Sequence, residues 1–167
     1  MQINRPLPEF GLPDLHNRLH HLRDYRGRIV VLNFWSAECP HSDRTDKLIL
    51  SSLQRWPDDV ALLSIAANRN EPVDLLERTA RGRGLPVVLL DADHAVADLF
   101  EAFITPQIFL ADRDGILRYR GAVDDLGFRR GTPSRLYLDE AVESLLAGRL
   151  PTPAETDAYG CAIVREI

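Results

Sequence analysis

Residues 29–44, IVVLNFWSAECPHSDR, decide how this chain is read. Arg28 to Trp35 is a nearly continuous apolar run rich in Val and Ile. Such a run is a strand buried on both faces, the kind that parallel sheets contain. Cys39 follows Trp35 after three residues, and Pro40 comes next. Proline suits the first helical position, because the N–H it lacks would have no partner there. A helix is therefore predicted from Pro40 to about Arg55, with Cys39 at or near its N-cap. First-turn N–H groups and the helix dipole favour an anion, so the thiol is expected to ionise below the usual ~8.5. His41 adds to this when protonated, and Glu38 opposes it. Ser42, one turn along, could donate a hydrogen bond to the thiolate but cannot form a disulfide.

Working outward, the chain alternates. Val60–Ala67 is a second buried strand. Residues 71–82 place Val73, Leu76 and Ala80 on one helical face. Pro86–Leu90 is a third short strand, and His94–Phe103 a short helix. Ile108–Ala111 and Ile116–Arg120 flank Asp112-Arg113-Asp114-Gly115, a hairpin turn. Thr132 and Pro133 mark the start of a last helix, and Gly148 and Pro151 mark its end. Strand–helix alternation gives a parallel sheet covered by helices, and the hairpin adds antiparallel strands. The fold class is thus α/β with a mixed sheet, in one domain over 1–167. The Pro- and Gly-punctuated first 27 residues suggest a small hairpin. The tail from 150, with Cys161–Ile167 extended, is expected to lie against the domain.

Composition narrows the function. A net charge of −5 is too mild to suggest a nucleic-acid binder. No segment approaches the ~18 apolar residues of a membrane span, and the N-terminus has no apolar signal core. The chain reads as cytoplasmic. Two cysteines, Cys39 and Cys161, make no disulfide framework; in a reducing compartment they are free or catalytic thiols. His16, His20 and His21 have metal-like spacing, but no carboxylate or thiol is obviously grouped with them. They read as an exposed hairpin face. Asp124-Asp125 and Arg129-Arg130 read as solvated loop charges.

The segment VVLNFWSAECPHS resembles the VVLNFWATWCGPC type of segment in thioredoxin-like proteins of the redoxin (AhpC/TSA) and TlpA group, with Ser42 in place of the second motif cysteine. Ile104-Thr105-Pro106-Gln107 resembles that group's Thr-Pro segment. Residues 109–125 resemble its final hairpin, residues 8–28 its N-terminal extension, and Tyr159-Gly160-Cys161-Ala162-Ile163 a Gly-Cys-x-Ile ending. The resemblance implies a thioredoxin-like fold and thiol–disulfide exchange at Cys39. It implies a cis bond before Pro106 and a Thr105 backbone that faces the substrate.

Departures sharpen the expectation. Asn33 stands where thioredoxins carry a buried Asp. Leu32 and Ser36 replace the proline and threonine that precede a peroxidatic cysteine. Exchange begins when a thiolate attacks a disulfide sulfur. Because Ser42 cannot finish it, Cys161 or an outside thiol must. The readings are then a thiol–disulfide oxidoreductase, a thiol-dependent peroxidase, or a redox-inert binding module. The partners are protein or small-molecule thiols and disulfides, glutathione and peroxide included. No metal or organic cofactor is implied.

Overall fold

The computed structural model describes residues 1–167. Its centre is a five-stranded sheet. The strands named here are β1 (Gly11–Pro13), β2 (Leu19–His21), β3 (Ile29–Trp35), β4 (Val60–Ala66), β5 (Val88–Leu90), β6 (Ile104–Thr105), β7 (Gln107–Ala111), β8 (Leu117–Gly121) and β9 (Cys161–Ala162). The helices are α1 (Pro40–Arg55), α2 (Val73–Arg83), α3 (Ala95–Leu99) and α4 (Tyr137–Leu146). The large sheet has the order β5-β4-β3-β7-β8. β3, β4 and β5 run parallel, and β7 and β8 are antiparallel additions.

β3 lies in the middle, and all seven of its residues are buried. Alternation explains the unbroken apolar run. Ile29 and Val31 meet α1 and α4 through Ile49, Leu138, Ala141 and Val142. Val30, Leu32 and Phe34 face the opposite core with Leu7, Phe10, Leu12, Leu22 and Phe100. The N-terminal leader, with its β1–β2 hairpin, therefore seals one face of the sheet. α2 packs Leu76 and Ala80 against Trp35, Ala66 and Val88.

Two boundaries differ from expectation by several residues: the short helix expected to run to Phe103 ends at Leu99, and the last helix begins late. The last helix starts at Tyr137, with Leu136 as its N-cap, so Thr132 and Pro133 lie in the preceding loop. That loop is pinned from outside. The Ser134 N–H donates to the Asp125 carboxylate at 2.8 Å, and the Asp125 N–H donates to the Arg135 carbonyl at 3.1 Å. These tertiary bonds outweigh the local Thr-Pro start signal. No helix is long and apolar enough to cross a membrane.

Candidate active site

The sheet delivers Cys39 to a helix start. β3 ends at Trp35, and three loop residues lead to Cys39, which is the N-cap of α1 with φ −77° and ψ 121°. Pro40 occupies the first turn. The loop is fixed by a buried carboxylate. Glu71 accepts from the Ser36 hydroxyl, from the Ala37 N–H at 2.9 Å and from the Asn68 side-chain amide at 3.2 Å. Ser36 Oγ in turn accepts the Cys39 N–H at 3.2 Å. Arg83 adds a second tie, donating to the Ala37 carbonyl at 2.9 Å and to Asp46 at 2.8 Å.

Cys161 comes to the same point from the tail. β9 pairs antiparallel with β6, in the register Ile104 to Ala162 and Thr105 to Cys161. The Cys39 and Cys161 sulfurs are joined, with the Cα atoms 6.1 Å apart, inside the ~4.4–6.8 Å that a disulfide requires. Cys39 is 3% exposed, and Cys161 is half-buried. Cys39 Sγ lies 3.4 Å from the Thr105 carbonyl oxygen. The Thr105–Pro106 bond is cis. A cavity of about 140 Å³ opens beside the two cysteines, lined also by Ser36, Glu38, Asn68 and Glu71.

The tail is held on both sides of Cys161. Before it, Tyr159 donates to the Asp124 carboxylate, and Arg44 contacts both. The Thr156 hydroxyl accepts the Ala122 N–H at 2.9 Å. Here Gly121 has φ +139°, and a Cβ on it would overlap Thr156. After Cys161, the Ile163 N–H donates to the Phe103 carbonyl at 2.9 Å. The Val164 N–H donates to Asn68 Oδ1 at 2.6 Å. Arg165 reaches Asp98 and the Ala102 carbonyl.

These contacts correct the readings of Asp124 and of the hairpin histidines, and they place the other side chains. Ser42 is fully buried, and its Oγ accepts the Ser36 N–H at 3.3 Å, which ties the helix head to the loop backbone. The His41 ring packs edge-on against Phe128 and Tyr159. Asp124 is no solvated charge: it is 1% exposed and forms a 2.7 Å ion pair with Arg44. His20 does have a carboxylate beside it, bonding Asp14 at 2.7 Å and the Tyr25 hydroxyl at 2.8 Å. His94 is buried, with its ring nitrogens against the Ala67 and Arg165 carbonyls. No group of three or more His, Cys, Asp or Glu side chains is arranged to hold a metal ion.

Electrostatics around α1 follow from burial. Asn33 leaves β3 without a carboxylate, and the buried acid on this face is Asp46 from α1, bonded by Trp35 Nε1 at 2.7 Å. Burial pushes the Asp46 carboxyl above its ordinary value despite Arg83 and Trp35. For Asp124, burial also pushes upward, but hydrogen bonds from Arg44 and Tyr159 outweigh it and hold the acid below the ordinary range. Burial, reinforced by Asp124, raises the Tyr159 phenol, which therefore stays protonated and donates. As a disulfide, Cys39 and Cys161 do not titrate.

Sequence reasoning did not find Glu71, Asp124, Arg44 or Tyr159. No local signal marked them: Arg44 lies beyond the first turn of α1, where the dipole makes no demand on its charge.

Comparison with known proteins agrees with this geometry. The AhpC/TSA family model matches residues 3–120. The thiol-disulfide oxidoreductase ResA of Geobacillus thermodenitrificans is 32% identical over 114 residues, covering 68% of this chain and 65% of that protein. An uncharacterised conserved protein from Geobacillus kaustophilus superposes with a TM-score of 0.85 at 24% identity, covering 99% of this chain and 93% of that one. A thioredoxin-like protein in its oxidised form superposes with a TM-score of 0.71 at 20% identity, covering 89% and 99%. The fold is thioredoxin-like.

Proposed function

The chain belongs to the AhpC/TSA family, and from that premise we propose that it is a thiol–disulfide oxidoreductase whose working pair is Cys39 and Cys161. The observation that carries the reading is the disulfide between a helix N-cap and the tail strand paired with β6. A structural thiol needs neither position. The name of the Geobacillus relative supports the same chemistry.

Reduced Cys39 is the nucleophile. The N-terminus of α1 favours its thiolate over the thiol. The thiolate attacks one sulfur of a substrate disulfide. The S–S bond breaks, its electron pair leaves on the departing thiolate, and a mixed disulfide forms on Cys39. Cys161 thiolate then attacks Cys39 Sγ, releases the second substrate thiolate and closes the internal disulfide. Two electrons have passed to the substrate, and two equivalents of an outside thiol such as glutathione restore them, leaving as the corresponding disulfide. Thr105 and Pro106 form the wall along which substrate backbone lies. His41 and Ser42 shape the helix head, Ser42 through the loop it bonds. With residues 1–27 as extension and 150–167 as tail, we read the chain as one redoxin unit working on thiols and disulfides.

The test is turnover of a protein disulfide with dithiothreitol as reductant. The parent is expected to turn over and Cys39→Ser to be inactive; Cys161→Ser, reduced beforehand and then freed of dithiothreitol, is expected to stall as a mixed disulfide after about one equivalent. A Cys39→Ser variant as active as the parent overturns the proposal. Replacing the substrate by hydrogen peroxide in the same assay separates the peroxidase reading. Cys39-dependent loss of peroxide at the disulfide-exchange rate or faster favours it.

A further inference from the structure

The tail does more than bring up a sulfur. It lies along Phe103–Thr105 as an extended segment would when added to a sheet edge. Such strand addition draws affinity from main-chain hydrogen bonds and specificity from alternate side chains. Here the hold on β6 is through backbone: the register Ile104 to Ala162 and Thr105 to Cys161, and the Ile163 N–H on the Phe103 carbonyl. Side chains alternate in use. Cys161 points to Cys39, Ala162 is exposed, and Ile163 is 6% exposed in the apolar cluster that includes Phe100 and Ala102.

Gly160 supplies the remaining element. Its φ is +150°, and a Cβ there would overlap the Thr105 carbonyl and come within 3.1 Å of Pro106 Cδ. The overlap is with backbone, on a segment whose Thr105 is 1% exposed, so neither side can give way cheaply. A segment that follows the same backbone path to present its cysteine to Cys39 meets the same wall at the residue before that cysteine.

We infer that the Phe103–Pro106 edge is a docking strand for extended polypeptide of the pattern Gly-Cys-x-apolar, and that residues 160–163 fill it as a built-in copy of that ligand. This rests on the proposed exchange at Cys39. Glycine is required by the Thr105–Pro106 wall, cysteine by the disulfide and the apolar residue by the site Ile163 fills. The intervening position is free. The partner is a protein carrying such a segment. The tail must leave the edge for the partner to enter, and its return resolves the mixed disulfide.

Full-length Cys161→Ser chain tests this, with seven-residue peptides whose cysteine carries a thionitrobenzoate leaving group. Cys39 thiolate attacks the peptide sulfur, the peptide–thionitrobenzoate bond breaks, and coloured thionitrobenzoate leaves with the electron pair. The sequences AYGCAIV, AYACAIV and AYGCADV are compared. The Gly-Cys-Ala-Ile peptide is expected to react at least tenfold faster than the Ala-Cys peptide and severalfold faster than the Asp peptide. Equal rates for all three, or the Ala-Cys peptide fastest, overturn the inference. Free dithionitrobenzoate serves as the control. If it too releases nothing from Cys39, the oxidoreductase reading fails, whatever the peptides do.

Discussion

The strand that ends at Trp35 and the tail that ends at Ile167 each deliver one sulfur to the same disulfide, and they are built differently. β3 is buried along its whole length between β4 and β7. Its position follows from apolar area removed from water, at about 25 cal/mol per Å². The tail has two strand residues, and most of the rest is half-buried or exposed. Apart from buried Ile163 and the disulfide, it is placed by separate polar contacts, each worth about 0.5–1.5 kcal/mol net. Elements held that way open locally while the core stays folded. The contrast places Cys39 on the rigid side of the reaction and Cys161 on the side that can move. That division is what an exchange reaction with an outside partner requires.

The largest effect falls on the rigid side. Phe34→Ala, at a fully buried position, is expected to cost about 3–5 kcal/mol. The loss should be the same in the oxidised and reduced chains, as read by urea unfolding. A loss confined to the oxidised chain would mean that the core and the tail are not separate.

Opening the disulfide is next. Its ends are 122 residues apart; disulfides typically contribute about 2–4 kcal/mol, with long loops at the upper end of what is seen. Reduction and Cys161→Ser should lower stability by the same amount in that range, and Phe34→Ala should add to either. Unequal losses would show that Cys161 does something besides pairing with Cys39.

The tail's anchor comes third. Asp124→Asn leaves Arg44 and Tyr159 without their acceptor and is expected to cost about 2 kcal/mol. The pH dependence has a definite sign. The native Asp124 carboxyl lies below its ordinary value. Its stabilisation is therefore complete above the unfolded pKa of about 3.9 and is lost as pH falls below that. Asp14, held down at about 2 by its bonds to His20 and two backbone N–H groups against the pull of burial, loses its contribution in the same acid window. Asp46, whose value is raised, acts in the opposite sense: its contribution is full at low pH and fades as pH rises through the native value. Urea midpoints between pH 7 and 3 should fall less steeply for Asp124→Asn than for the parent. Parallel curves would remove Asp124 from the account.

The smallest effect is at Ser42. Ser42→Ala removes one hydrogen bond to the Ser36 N–H, for about 1 kcal/mol. In the reduced chain it should change Cys39 alkylation by less than twofold. A larger change would restore a direct bond from Ser42 to the thiolate.

What the sequence could tell follows the same division. Ile29–Trp35 and Cys39-Pro40 were legible because burial on both faces and the first turn of a helix are local rules written in adjacent residues. The leader hairpin, the Asp112–Gly115 turn and the extended tail were legible for similar reasons. Asp124 was not, because its partner Arg44 stands 80 positions away and nothing nearby distinguishes a paired aspartate from a solvated one. The Thr132-Pro133 start signal was real as chemistry, yet bonds from Asp125 overrode it. Glu71 sits in an Asn-Arg-Asn-Glu-Pro loop that reads as ordinary surface. Its role exists only because the fold closes that loop over Ser36 and Ala37. Local pattern reaches the strand that holds Cys39; only the assembled fold reveals what holds Cys161.

The central claim, that the two cysteines form one redox pair, is tested most directly by intact mass and peptide mapping of the full chain equilibrated in glutathione buffers of stepped potential. The account predicts a two-electron transition in which both thiols disappear together and a Cys39–Cys161 linked peptide appears, with monomeric mass throughout. Independent glutathionylation of Cys39 and Cys161, with no linked peptide at any potential, would contradict it.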